Sequence, residues 1–348
     1  MRCEQKSLRF LIGFSHVGLL LGVILAGPKL CHAAEGESSR KQQKRVLVIH
    51  SSRRDAPYTL LVERAYQKTL SDGLAGQLDY YTEYVDLARF SSPAYQEAPR
   101  DFLRRKYAGW RLDVIIAEGN APFEFMARHG AQIFPGAPIV FSTERKDLQP
   151  IPNSTGVVFQ IDMKSTLDLA LKLQPNIKRV FVIRGASEFD KFYEEIARRQ
   201  FQEYEGRVTF TYLPPMPLKD LLEEAPRLPE DSIIYFVSLF EDGAGDRFIP
   251  VDILGKLSPL ASVPVYCWPE MTVDYGIVGG NLLSEENVAQ QTAELALRVL
   301  HGENPDQIPI GKIRPYINVF NWHQLQRWGI DESNLPPDSI VLDREPTF

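Results

Sequence analysis

Cysteine and histidine are scarce in this sequence, whose 348 residues include 3 Cys and 6 His. Cys3 and Cys31 lie near the N-terminus, so the chain beyond residue 33 keeps only Cys267. A single cysteine excludes an internal disulfide and a cysteine-based zinc site in that part of the chain. The histidines stand singly, without a second ligand at helical spacing, so the sequence predicts no metal site and no cofactor.

The motifs of the common enzyme classes are also absent. There is no Gly-x-Ser-x-Gly elbow, no Walker loop and no His-Glu-x-x-His zinc motif. Gly243-Ala244-Gly245 lacks the third glycine of a dinucleotide loop, and the flanking Asp242 and Asp246 do not have the spacing of an EF-hand. We therefore expect no catalytic residue and no enzyme activity.

The long hydrophobic run of the sequence lies at its N-terminus, over residues 10–26, after three basic residues. Small residues follow at the spacing that a signal peptidase needs, which predicts a cleaved secretion signal over 1–33 and a basic leader over 34–44. The alternative is an uncleaved membrane anchor, for which the run is short. The predicted location of the mature protein is the periplasm.

An excess of positive charge is lacking as well, since 39 Lys and Arg face 45 Asp and Glu for a net charge of −6. Loss of the basic signal would make the mature chain more acidic. Nucleic acid is therefore not an expected partner, because its phosphates need a basic surface. Beyond residue 26 no segment approaches the length of a membrane span, so we expect a soluble product.

The most informative feature of the sequence is a pair of similar segments, which we call the echo. Residues 44–52 read KRVLVIHSS and residues 178–187 read KRVFVIRGAS: a basic pair, four apolar residues, then small polar ones. Short apolar runs rich in β-branched residues, each followed by a helical pattern, are typical of buried strands in a parallel sheet. Strand and helix patterns alternate along the chain, which predicts an α/β fold with right-handed crossovers. The echo predicts two similar lobes with a cleft between them.

Polar and aromatic side chains follow the predicted strands and should face this cleft, because ligands of open α/β sheets bind beyond the carboxyl ends of the strands. They combine hydroxyls, a few charges and rings, as a small polar organic ligand requires. The predicted ligand-binding residues are Ser51, Ser52, Tyr58, Glu118, Gly119, Asn120, Ser142, Thr143, Arg184, Ser187, Phe189, Ser238, Phe240, Trp268 and Glu270. Two alternatives remain open: Ser187 can merely cap a helix, and Arg184 can bind a ligand carboxylate or form a salt bridge to Glu118 or Glu270.

Three spaced segments, 155–175, 178–187 and 276–305, resemble the substrate-binding proteins of ABC importers with the type I periplasmic fold. The resemblance runs from about Arg45 to the C-terminus. It implies two doubly wound parallel-sheet lobes joined by a hinge, which close on a small-molecule ligand. The implied division is 45–155 plus 281–301 for lobe 1 and 156–280 plus 302–348 for lobe 2.

The tail over 318–342 is most similar to the version of this module found outside the membrane in bacterial sensor histidine kinases. There a membrane span and signalling domains follow, whereas this sequence ends at Phe348. The membrane partner can therefore be an ABC permease or a sensor kinase of a two-component system, and the chain can also be a fragment of a longer protein. A periplasmic hydrolase with Glu118 or His50 as its base is the rival from another class. We expect a monomer or a weak dimer.

Overall fold

The computed structural model describes residues 43–87, 90, 92–145, 147–148 and 151–345. The predicted signal peptide and nearly all of the predicted leader lie outside this part of the chain. The strands are β1 (Lys44–His50), β2 (Leu78–Tyr84), β3 (Val114–Glu118), β4 (Ile139–Thr143), β5 (Ser154–Val158), β6 (Arg179–Arg184), β7 (Thr209–Tyr212), β8 (Ser232–Ser238), β9 (Val265–Tyr266), β10 (Gly279–Leu283), β11 (Gly311–Lys312), β12 (Tyr316–Asn321) and β13 (Ile340–Leu342).

Helices alternate with these strands, as the sequence pattern predicts. They are α1 (Pro57–Leu74), α2 (Pro93–Lys106), α3 (Asn120–Ile133), α4 (Lys164–Leu173), α5 (Glu188–Phe201), α6 (Leu218–Glu224), α7 (Pro250–Leu260), α8 (Glu285–Leu300) and α9 (Trp322–Arg327). Side-chain caps fix several of their starts: the Ser284 hydroxyl, for example, accepts a hydrogen bond from the Asn287 backbone N–H at the start of α8. Within the described ranges, every helix is too short or too polar to cross a membrane.

The first sheet has six parallel strands in the order β11-β5-β4-β3-β1-β2. Helices α1 and α8 cover one face of it, where Val46 and Val48 of β1 pack against their apolar sides. Helices α2 and α3 cover the other face, where Leu47 and Ile49 point. Successive residues of a strand point to opposite faces, so a strand buried on both sides must be apolar throughout.

The second sheet has four parallel strands in the order β7-β6-β8-β9. Strand β6 contains the second copy of the echo. It lies between β7 and β8, just as β1 lies between β2 and β3 in the first sheet. Side chains of α4, α5, α6 and α7 pack around this sheet in one continuous apolar core. The prediction of two parallel α/β sheets, each begun by an echo strand, is confirmed.

A third, mixed sheet has the order β10-β12-β13. Its middle strand β12 is antiparallel to β10 and parallel to β13. Val278, Leu282 and Phe320 place this sheet in the same core as the second one. The apolar alternation of the tail predicts β12 and β13 as strands. It does not predict that they form a separate sheet with β10.

The predicted boundary between the lobes at residue 155 falls inside β5, which continues in the first sheet to Val158. A short parallel strand with a glycine at its centre has too weak a pattern to be recognised after the prolines that precede it. A Cβ at Gly156 would lie 2.3 Å from the Phe141 carbonyl oxygen of β4, so this close strand pairing needs glycine. Strand β11, from the segment assigned to lobe 2, also pairs with β5. The division into lobes remains a proposal, with the crossing moved beyond Val158.

Candidate functional site

The candidate residues lie where the strands of both parallel sheets end. In each sheet the strand order reverses beside the first strand: β1 lies between β2 and β3, and β6 lies between β7 and β8. The connections that leave such neighbouring strands go to opposite faces of the sheet, which opens a crevice beyond their carboxyl ends. The side chains predicted to bind a ligand follow β1, β3 and β4 in the first sheet and β6, β8 and β9 in the second.

A buried ionic cluster occupies the end of β1. The His50 ring is 1 % exposed, its Nε2 lies 2.7 Å from Glu63 Oε2, and its Nδ1 lies 3.4 Å from Glu118 Oε2. Burial opposes a charge on the ring, but the hydrogen bonds and charges of Glu118 and Glu63 outweigh it and raise the pKa of His50 to about 9. The Tyr58 hydroxyl donates a hydrogen bond to Glu118 Oε1. Tyr58 and Glu118 therefore contact each other as well as the crevice.

The hydroxyls of Ser51 and Ser52 follow this cluster and are partly exposed. No residue of the described part of the chain is recorded as a hydrogen-bond partner of either hydroxyl. Gly119, after β3, has a φ of 85°, a conformation that favours glycine, and its backbone N–H donates to the Ser142 hydroxyl at 3.3 Å. Ser51 and Ser52 thus keep free polar groups, whereas Ser142 is engaged within the protein.

Glu144 was not among the predicted site residues. Hydrogen bonds of Asn120 with Glu144 and with Thr143 fix its position. Asn120 Oδ1 accepts hydrogen bonds from the Thr143 hydroxyl at 2.6 Å and from the Glu144 backbone N–H at 2.9 Å. Asn120 Nδ2 donates to Glu144 Oε2 at 3.3 Å. Burial is the main cause that raises the pKa of Glu144 to about 7, with a further contribution from the charge of Glu118. Its position directly after Ser142-Thr143 at a strand end was the signal available in the sequence.

Ser187 and Ser238 of the second sheet both donate to the buried Asp190. Ser187 caps α5 in a capping box with Asp190, and its hydroxyl donates to Asp190 Oδ2 at 2.6 Å. The Ser238 hydroxyl donates to Asp190 Oδ1 at 2.6 Å, and the Phe240 backbone N–H donates to the same carboxylate. The capping alternative therefore describes Ser187. Asp190, which is 0 % exposed, organises the loops after β6 and β8.

Arg184 is not free to meet a ligand carboxylate. Its Nε donates to Glu194 Oε2 of α5 at 2.5 Å, and its Nη1 donates to the Gly185 carbonyl oxygen at 2.8 Å. Arg184 does form a salt bridge, as one of the two alternatives predicted. Its partner is Glu194, so the predicted partners, Glu118 and Glu270, are wrong. Glu194 lies on the helix that follows β6, so the ion pair stays beside the second sheet rather than crossing the cleft.

Aromatic rings line the second side of the crevice. Trp268, 7 % exposed, donates its indole N–H to the Val237 carbonyl oxygen at 2.9 Å, and its ring centroid lies 5.2 Å from that of Tyr193 on α5. Phe189 and Phe240 are each 39 % exposed, with ring centroids 6.0 Å apart. Tyr193 is a second residue that the sequence reasoning missed, because nothing in the pattern of α5 distinguishes it from a core residue.

The start of α8 lies beside the end of the second sheet. The Leu283 backbone N–H, two residues before α8, donates a hydrogen bond to the Trp268 carbonyl oxygen at 2.9 Å, and the Trp268 ring packs on Tyr193 of α5. Helix α8 itself packs on the first sheet. Burial raises the pKa of Tyr193, and the charges of Glu144 and Glu285 act in the same direction. Elements of both sheets therefore border the crevice.

Glu285 and Glu270 add two more carboxylates on this side of the molecule. Glu285, the first residue of α8, is 5 % exposed, and its Oε2 is buried without a hydrogen-bond partner. Burial raises its pKa to about 8, and the charges of Glu270 and Glu144 act in the same direction. Burial also raises the pKa of Glu270, whose Oε2 likewise has no partner. No three acidic, histidine or cysteine side chains of the described residues converge as metal ligands do.

Comparison with known proteins identifies the fold. No protein-family model and no curated protein matches the sequence. Among solved structures, an ABC domain from Streptococcus pneumoniae in complex with L-Trp matches with a TM-score of 0.60 at 14 % identity, over 86 % of this chain and 100 % of its own. A substrate-binding protein with adhesive properties from Clostridium difficile, in a ligand-free, open form, matches with a TM-score of 0.58 at 15 % identity, over 87 % and 100 %.

A third match, a conserved domain protein from Vibrio cholerae, has a TM-score of 0.58 at 16 % identity and covers 86 % of this chain and 99 % of its own. These proteins are matched over almost their whole length, including both parallel sheets. Identities of this size support a shared fold and do not transfer a ligand. The chain has the two-lobed α/β fold of the type I periplasmic substrate-binding proteins that its sequence resembles.

Proposed function

We propose that this protein captures a small organic molecule between its two parallel sheets and presents the ligand-bound form to a partner in the membrane. The observation that carries the proposal is the hydrogen bond of 2.9 Å between the Leu283 backbone N–H and the Trp268 carbonyl oxygen, which places the end of β9 beside the start of α8, the helix that packs on the first sheet. A crevice at two switch points of parallel sheets is where ligands of this kind of fold bind.

Several predicted residues are suited to contact this ligand. Ser51 and Ser52 offer free hydroxyls, and Phe189 and Phe240 offer partly exposed rings. Trp268 is almost fully buried and would contribute one edge of its ring. Arg184 is held by its ion pair with Glu194 and does not touch the ligand in this proposal. The other predicted residues hold the shape of the site and can also touch the ligand; they are Tyr58, Glu118, Gly119, Asn120, Ser142, Thr143, Ser187, Ser238 and Glu270.

Binding without turnover is favoured over the hydrolase alternative by the state of the two candidate bases. His50 is held between two carboxylates, and its raised pKa keeps it protonated at neutral pH, so it has no lone pair with which to take a proton. Glu118 accepts the Tyr58 hydroxyl and faces the His50 ring. A base needs a free lone pair directed at the substrate, and both candidates already use theirs within the protein.

The proposed partner is an ABC permease or a sensor kinase, and the proposed location is the periplasm. The chain passes between the two sides of the molecule after β5, between β10 and α8, and after β11. Connections of this kind allow hinge closure, which converts ligand binding into a change of shape that a membrane protein can read. The genes that neighbour this one distinguish the two partners, since each operates with its own membrane subunit. We propose that the protein acts as a monomer or a weak dimer.

The experiment that tests the function is native mass spectrometry of gently purified protein, followed by thermal-shift measurements against amino acids, sugars, amines, nucleosides and organic acids. A ligand present at about a hundred times its dissociation constant adds roughly 2.7 kcal/mol to the free energy of unfolding. This raises the melting temperature by a few degrees.

A matched pair of variants locates the ligand. Phe240→Ala removes a ring that is 39 % exposed at the crevice, and Phe102→Ala removes a ring that is 56 % exposed on α2, away from it. We expect the ligand-induced shift to fall in the first variant and to persist in the second. A shift that is equal in both variants would place the ligand elsewhere, and a complete absence of ligands in both methods would contradict the proposed function.

A further inference from the structure

The charge balance of the crevice is one-sided. Glu144, Glu270 and Glu285 all lie there, and no lysine, arginine or histidine of the described residues forms an ion pair with any of them. His50, at the end of β1, is already paired with Glu63 and Glu118. A site with this balance repels anions and attracts cations.

Glu285 is the strongest sign of a missing partner. The side chain is 5 % exposed, and its Oε2 is buried without a hydrogen-bond partner among the described residues, although the backbone N–H groups of Glu285 and Met271 interact with the carboxylate. Buried polar atoms are nearly always paired, because each unpaired one costs the energy of the hydrogen bonds it made with water. The pairing of Pro269 with Leu283 brings Glu270 beside the start of α8, and its Oε2 is also buried and unpaired. The missing donor therefore belongs in the crevice.

The opposite wall of the crevice has the complementary surface for a positively charged organic group. The Tyr193 ring packs on Trp268 with centroids 5.2 Å apart, and the Trp268 carbonyl oxygen accepts a hydrogen bond from the backbone N–H of Leu283, two residues before Glu285. The face of an aromatic ring carries negative potential and attracts ammonium and guanidinium groups within about 6 Å. The carboxylates on one wall of the crevice and the aromatic rings on the other therefore both favour a positively charged group.

We propose that the ligand of this site is an organic cation, whose ammonium or guanidinium group binds between Glu144 and Glu285 while its carbon skeleton lies against Tyr193 and Trp268. This inference rests on the proposed function, since it names the chemical class of the molecule that the crevice captures. Asn120 and Thr143 are positioning residues, because they hold Glu144 in place through the bonds described above.

The release of protons from Glu144 and Glu285 is a second quantity by which binding of a cation can be measured. Burial raises the pKa of Glu144 to about 7 and that of Glu285 to about 8, so both carry protons for part of the time at neutral pH. A cation favours their charged forms and expels those protons. For each proton released on binding, the affinity for the cation rises about tenfold per unit increase in pH below the pKa of that carboxyl group. The other charged groups facing them are Glu118, Glu270 and the Tyr193 hydroxyl, with Glu286 and Asp274 beside Glu270.

The test compares ligands matched in size and opposite in charge by calorimetry and thermal shift. Phenethylamine, agmatine and putrescine are the cationic probes; 3-phenylpropionate, succinate and 1,4-butanediol are their anionic and neutral counterparts, and Ca²⁺ is the metal probe. We expect at least one amine or guanidine to bind, with an affinity that rises about fiftyfold between pH 6 and pH 7 as both carboxyl groups lose their protons, and no binding of the anions.

Three variants assign the binding to its residues. Glu144→Gln and Glu285→Gln should each weaken binding of the cation at least tenfold and reduce the number of protons released. Glu286→Gln, the exposed neighbour on the same helix turn, should change the affinity less than twofold. Equal effects of Glu285→Gln and Glu286→Gln would overturn the assignment, because general attraction by the acidic surface would then explain the binding.

The outcomes separate this inference from the proposed function. If native mass spectrometry or the panel yields only an anionic or neutral ligand whose binding needs Phe240, the function holds and the inference fails. Stabilisation by Ca²⁺ and by no amine also overturns the inference. If no ligand of any class is found by either method, the proposed function fails and the inference fails with it.

Discussion

Replacing Glu285 by glutamine should stabilise the ligand-free protein. Its carboxyl group is 5 % exposed, and burial raises its pKa from the ordinary 4.5 to about 8. The folded state therefore binds a proton that the unfolded state releases between these two values, so stability falls as the pH rises from 4.5 to 8. At pH 7 this costs about 3 kcal/mol, at roughly 1.4 kcal/mol per pH unit above the ordinary value. Glutamine keeps the shape without the charge.

The assay is urea denaturation and thermal melting of Glu285→Gln and of the unaltered chain at pH 4, 7 and 9. We expect equal stability at pH 4 and a melting temperature roughly 6 °C higher for the variant at pH 7. Glu286→Gln is the control, because this side chain is exposed on the same turn and its replacement should matter by less than about 0.5 kcal/mol. A difference that is independent of pH, or a variant less stable at pH 7, would refute the account of a buried unpaired carboxylate.

Three further predictions concern the groups that hold the site. Asp190→Asn should cost about 2 to 4 kcal/mol in urea denaturation, because two hydroxyls and the backbone N–H groups of Ser187, Phe240 and Glu241 lose their charged acceptor; a loss below about 0.5 kcal/mol would contradict this. Arg184→Met should destabilise the protein by about 1 kcal/mol, because Glu194 loses one partner and keeps Arg198, yet leave ligand affinity within about twofold; a large loss of affinity would return Arg184 to the site. The stabilisation by His50, about 3 kcal/mol, should be complete below pH 6.5 and lost as the pH rises through about 9, and His50→Gln should remove this dependence from urea midpoints measured between those values.

The sequence pattern predicts the strong elements of the fold well. The helix expected over 285–300 is α8 with the same bounds, and each echo strand lies inside its sheet, next to an edge strand. Strand β5 was missed because its pairing is entirely long-range: its neighbours are β4 and a two-residue strand, β11, from the far end of the chain. Period-two patterns report burial along one strand. They carry no information about which distant strand lies beside it.

The candidate ligand site stays a prediction, and one of the side-chain pairings predicted in it is wrong. Topology alone sends the ends of parallel strands to one edge of a sheet, which is why the sequence could indicate where to look. The partner of Arg184 was wrong because an arginine side chain reaches the helix behind its own strand as easily as the opposite wall. Glu285 was missed because glutamate at the first turn of a helix ordinarily binds the helix N-terminus in solvent, and only tertiary packing buries it.

The position of α8 in the chain has a consequence for the way the protein is made. One face of the first sheet, formed by strands near the N-terminus, is covered partly by α1 and partly by α8, whose Ala293 and Ala296 are synthesised much later. Roughly 230 residues must be translated between β1 and α8, which takes about 10 to 50 s at 5–20 residues per second. During that time α1 alone covers this face, and the apolar area that α8 later buries stays exposed. Such a nascent chain is suited to capture by a chaperone and prone to aggregate at high expression.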